Sequence, residues 1–157
     1  MRSLLTSIVA LALLSALAPG CTSNSTSKCG PCPLIATVLP NINFRVVDKT
    51  TGEDLFFAAT PKYKLSQLKL RHIINGKPDS VFLRVDSAGK KFNIFVPPTG
   101  PVDTITMQVA DKPQDKLLFK TGKTPGCCPV LVLNSVSYNG TLVYTHASGP
   151  ALVLLAK

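Results

Sequence analysis

The residues with most chemistry in them are five cysteines, Cys21, Cys29, Cys32, Cys127 and Cys128. A thiolate is a nucleophile and a metal ligand, and a thiol pair outside a reducing compartment becomes a cross-link. Cys29 and Cys32 enclose Gly30-Pro31, Cys127 and Cys128 are adjacent within "TPGCCPV", and Cys21 stands alone. A two-residue spacing suits thiol–disulfide exchange, in which Cys29 attacks and Cys32 resolves, and it also suits half of a zinc site. An adjacent pair serves zinc poorly, because neighbouring side chains of an extended strand point to opposite sides. His72 and His146 add no ligand spacing. No metal or other cofactor is therefore expected.

Cys21 has a context of its own. The chain begins "MRSLLTSIVALALLSALAPGC", with Arg2 before an uncharged apolar run from Leu4 to Leu17. That run has the length of a signal-peptide core and is too short for a membrane span. Ala16-Leu17-Ala18 offers an ordinary small-residue cleavage site, but a cut there leaves Pro19 first. A cut before Cys21 fits better. Small residues, then Gly20, then cysteine resemble the lipobox of bacterial lipoproteins, with Ala18 in place of the usual leucine. The resemblance implies a signal peptide over 1–20 and a thioether-linked diacylglycerol with N-acylation, palmitate included, at Cys21. It also implies a polar tether over 21–33. Several acyl chains together anchor stably where one is marginal. Thr22, where aspartate would signal inner-membrane retention, points to the outer membrane.

Four cysteines then remain, an even number outside the cytoplasm, and three pairings are open. Cys29-Gly30-Pro31-Cys32 resembles the redox centre of thioredoxins. In that family a buried strand delivers the motif to a long helix whose dipole lowers the thiol pKa. Here "SNSTSK" precedes Cys29, and "PLIATVLPNI", rich in β-branched residues, follows Cys32. Neither supplies the strand or the helix. The expectation is a staple instead, with at least one bridge from Cys29 or Cys32 to Cys127 or Cys128.

The elements that must position these residues are strands. Alternation governs the chain after the tether. Ile42, Phe44 and Val46 share one face, as do Leu68, Leu70, His72 and Ile74. Val81, Leu83 and Val85 repeat the pattern, followed by Phe92, Ile94 and Val96, then Ile105, Met107 and Val109. "KLLFKT", "VLVLNSVSY", "TLVYT" and "ALVLLA" complete the series. Turn signals separate them: "TTGED", "NGKPD", "DSAGK", "PPTGP", "DKPQD", "GKTPG" and "ASGP". Asn139-Gly140 between two β-rich runs predicts a hairpin. Eight or nine short strands at this spacing predict an all-β fold, a single Ig-like antiparallel β-sandwich over 34–157. "FRVVDKTTGEDLFF", Phe44 to Phe57, resembles the first hairpin of transthyretin-like and carboxypeptidase-regulatory-like modules. That likeness implies a sandwich with a structural or carbohydrate-facing role. The whole pattern also resembles small lipoproteins of Bacteroidota-type bacteria.

The formal charge of +9 is dispersed over strand faces and turns rather than gathered in runs. It suits anionic lipid or polysaccharide. Nucleic acid is not expected as a partner, because no recognition motif is present. The eight acidic residues are assigned mostly to turns, and no nucleophile elbow, metalloprotease helix or phosphate loop occurs. No catalytic residue is therefore expected. Asp79-Ser80, Asp86-Ser87 and Asp103-Thr104 match a loose O-glycosylation pattern, and Asn139-Gly140-Thr141 an N-glycan sequon. The reading that follows is a lipid-anchored, non-enzymatic envelope protein with a binding or structural role. Its partners would be the membrane, other envelope proteins or glycans. The alternatives are a tethered thiol–disulfide oxidoreductase and a carbohydrate-binding accessory module.

Overall fold

A computed structural model describes residues 30–32, 39–148 and 152–157. The chain divides into two compact units, Met1–Pro31 and Cys32–Lys157, and the fold below is that of the second. It is all-β. A four-stranded sheet faces a six-stranded one. The first contains β1 (Asn41–Val47), β4 (Phe82–Asp86), β5 (Lys91–Phe95) and β10 (Leu152–Ala156), in the order β10-β1-β5-β4. The second contains β2 (Leu68–Ile74), β3 (Lys77–Ser80), β6 (Val102–Val109), β7 (Asp115–Lys123), β8 (Leu131–Tyr138) and β9 (Thr141–Thr145), in the order β3-β2-β6-β7-β8-β9.

The core lies between the sheets, where alternation placed it. Phe44, Val46, Phe92, Ile94, Ile105, Met107, Val109 and Phe119 are all fully buried. The Phe92 ring sits at the centre of an aromatic cluster, with centroids 5.3 Å from Phe44, 5.3 Å from Phe56 and 4.9 Å from Phe57. Offset and edge-on packing of this kind adds to simple area burial.

Among the described residues the strands number ten, and the extra one comes from "NGKPD". Only Asn75-Gly76 turns, both with positive φ (50° and 75°), and Lys77–Ser80 pairs with β2. Pro78 is tolerated there because β3 is an edge strand. At Val81 the chain leaves one sheet for the other, so β3 and β4 are one extended run split between them.

The sandwich is not wholly antiparallel. β10 lies parallel to β1, from Asn43 opposite Leu152 to Val47 opposite Ala156. β9 ends in the six-stranded sheet, the chain crosses through a 3-10 turn at His146–Ser148, and β10 then starts at the end where β1 also starts. Two strands that begin at one end must run the same way.

The Phe44–Phe57 segment folds back as expected, but with a single bridge, Val47 to Asp54, in place of a second full strand. Asp48 accepts bonds from the backbone N–H of Thr50 and Thr51 to shape the turn. Leu55 and Phe56 then plug the core. Asn139-Gly140 forms the predicted hairpin with positive φ at both positions (48° and 87°), the pattern of a type I′ turn. Strict alternation fails in β8, where the buried positions step from Leu133 to Val136. The register shift opposite Lys120/Thr121 marks a bulge there.

Candidate functional site

The three described cysteines, Cys32, Cys127 and Cys128, come together at one end of the sandwich. Between β7 and β8 the irregular segment 124–130 is pinched shut by two bonds. The Thr124 N–H donates to the Val130 carbonyl and the Val130 N–H to the Thr124 hydroxyl, each at 2.9 Å. Gly126 (φ 113°) makes the bend that presents Cys127 and Cys128. Cys128 is joined to Cys32 by a disulfide across 96 residues of sequence, with Cα atoms 5.4 Å apart. Cys127 is disulfide-bonded as well. Cys32 therefore does not pair within Cys29-Gly30-Pro31-Cys32, and its thiol is spent on a cross-link to the β7–β8 loop. Cys21 and Cys29, the lipidation candidate and the other half of the motif, lie outside the described residues, as does 33–38.

The same end carries a buried polar pair that sequence reasoning missed. His72 on β2 and Asp103 on β6 are 2% and 1% exposed, and His72 Nε2 lies 3.0 Å from Asp103 Oδ1. That oxygen also accepts the Thr99 N–H at 3.0 Å and the Thr99 hydroxyl at 2.6 Å. The carboxylate thus ties the loop 97–101 to two central strands. The signal was present in the sequence. His72 shares a face with Leu68 and Leu70, and Asp103 shares one with Ile105 and Met107. Asp103, expected in a turn with the other acids, occupies β6 and is buried. Its burial makes Asp103-Thr104 unlike the exposed Asp79-Ser80 on β3. Asp115 is likewise a buried strand residue.

At the opposite end a cleft of about 360 Å³ opens between the turn after β1, the segment around Tyr63, the β6–β7 turn and the end of β10. Its floor is a closed network. Lys157 Nζ contacts Asp115 Oδ2 at 2.6 Å and donates to the Pro113 carbonyl, while Asn139 Nδ2 donates to Asp115 Oδ1 at 2.9 Å. The Tyr138 hydroxyl is buried nearby without a hydrogen bond of good geometry. Its burial first, and the Asp115 carboxylate second, raise its pKa above the ordinary 10. On the wall Lys62 pairs with Asp48 at 3.2 Å. Two backbone N–H bonds, before that lysine, hold the Asp48 carboxyl below its ordinary range. Lys49 and Lys112 line the cleft and have no ion pair among the described residues.

Among the described residues no three His, Cys, Asp or Glu side chains gather as a metal centre requires, and no helix is long and apolar enough to cross a membrane. Comparison with protein-family models, curated proteins and solved structures finds no match to this chain.

Proposed function

We propose that this chain is a lipid-anchored cell-envelope protein, held by acyl groups on Cys21, whose β-sandwich has a non-enzymatic binding or structural role. The observation that carries the reading is the Cys32–Cys128 disulfide. Cross-links of this kind persist in oxidising compartments, outside the cytoplasm. Such a location agrees with Arg2, the apolar run Leu4–Leu17 and Cys21 at the head of a polar tether. A bridge eleven positions beyond Cys21 also fixes the end of that tether to the body of the sandwich. Force on the anchor then passes through covalent bonds to the β7–β8 loop and not through β1 alone.

The bridge also speaks against the oxidoreductase alternative, since exchange in such a motif runs between its own two cysteines. Metabolic labelling with radioactive palmitate tests the anchor. The wild-type chain is expected to take up label and to fractionate with membranes. Cys21→Ala is expected to lose the label and to be released. Membrane association unchanged by Cys21→Ala, with no label on the wild type, overturns the proposal.

A further inference from the structure

We propose that the cleft at the end opposite the disulfide is a binding site for a small oxyanion-bearing saccharide, a sugar phosphate or a sugar acid. Four lysines, Lys49, Lys62, Lys112 and Lys157, line it against two aspartates, Asp48 and Asp115. Both aspartates are already matched, Asp48 by Lys62 and Asp115 by Lys157. Lys49 and Lys112 are left over, exposed, on facing turns. Two unmatched ammonium groups over a recess attract an anion more strongly than the same charges on a convex surface, because the low-dielectric walls focus the field.

The remaining chemistry suits a sugar. The volume of about 360 Å³ is at the small end for ligand pockets. Tyr63 is half-buried on the wall, its backbone N–H fixed to the Leu55 carbonyl at 3.0 Å and its ring 6.0 Å from that of Phe56. It offers a supported aromatic surface with a hydroxyl at its tip. Asn139 and the Pro113 carbonyl add polar groups at the floor. A groove lined by Pro61, Lys62, Tyr63, Lys64 and Leu65 continues outward from the shared Lys62 and Tyr63, leaving room for a ligand that extends beyond one ring.

Isothermal titration calorimetry on the full chain in mild detergent tests the site with four probes: glucose 6-phosphate, glucuronate, glucose and inorganic phosphate. Glucose 6-phosphate or glucuronate is expected to bind at least tenfold more tightly than glucose, and the stronger of the two identifies the oxyanion. Lys49→Gln/Lys112→Gln is expected to abolish that preference with the unfolding midpoint unchanged. Lys120→Gln/Lys123→Gln, at the far end of β7, is expected to leave it intact. Equal binding of glucose and its phosphate overturns the proposal. So does equal binding of inorganic phosphate and sugar phosphate, or an equal loss in the Lys120/Lys123 control.

Discussion

Replacing Cys32 and Cys128 together with serine tests how the tether end is stapled. The bridge spans 96 residues. In the chain-entropy model a loop of that size, closed by one cross-link, stabilises the fold by about 4.7 kcal/mol at 25 °C. Cys127 is disulfide-bonded too. The arrangement put to the test pairs Cys127 with Cys29, one of the cross-bridges that the sequence leaves open. A Cys29–Cys127 bridge would close nearly the same loop. Removing only Cys32–Cys128 would then free only the few residues between two neighbouring links, worth about 2 kcal/mol or less by the same relation. Removing all four cysteines would release the large loop and cost about 5–7 kcal/mol, comparable to the whole stability of an ordinary domain. Urea unfolding under non-reducing conditions reads both variants, since midpoint and slope give the free energy. Expected are a folded Cys32→Ser/Cys128→Ser protein with a small loss and a four-serine protein that is largely unfolded. A loss of 4–5 kcal/mol in the two-serine variant would refute the double-bridge arrangement. So would a four-serine variant that loses less than about 2 kcal/mol.

Two further outcomes follow from the polar groups. Asp103→Ala strands the His72 Nε2, the Thr99 N–H and the Thr99 hydroxyl in a site where Asp103 is 1% exposed; it is expected to cost about 3–5 kcal/mol. Asp103→Asn, which keeps an acceptor oxygen, should cost clearly less, about 1–3 kcal/mol by urea unfolding, and equal losses would contradict the acceptor role. The Asp48 carboxyl, held down first by the Thr50 and Thr51 N–H groups, should titrate below its ordinary 3.8 in an NMR pH series. A lowered folded pKa stabilises above the ordinary value and is lost as pH falls through the folded one, so the turn 48–53 is expected to loosen only in acid below that value. Titration at or above it would count against the turn geometry.

Alternation is local, and it was legible. Every stretch of alternating apolar residues became a strand, and the inward faces of β1, β5 and β6 were readable residue by residue. Asn139-Gly140 was legible for a similar reason, because a type I′ turn needs two positive φ values and those residues accept them. The chemistry of Cys29-Gly30-Pro31-Cys32 was only half legible. Its flanking residues lacked the strand and helix of a redox centre, which pointed to a staple, but nothing local selects Cys128 over Cys127 as the partner of Cys32. That choice depends on how the 124–130 loop bends at Gly126.

The remaining features are set by pairing between distant segments. Whether β10 lies parallel to β1 depends on which end of the sandwich the chain crosses, and alternation is blind to direction. The buried His72–Asp103 contact joins residues 31 apart in sequence whose inward positions were each apparent but whose register opposite one another was not. The cleft gathers Lys49, Lys62, Lys112 and Lys157 from four separate segments, so in the sequence they read as dispersed charge. The sequence by itself determined the strands other than β3, the inward faces of β1, β5 and β6 and the two segments that the staple joins. Only the tertiary structure decided the sheet order, the pairing of Cys32 with Cys128 and the convergence of the lysines. Side-chain alternation is fixed by a residue's immediate neighbours, whereas register and strand direction are fixed by contacts that exist only once the chain has closed on itself.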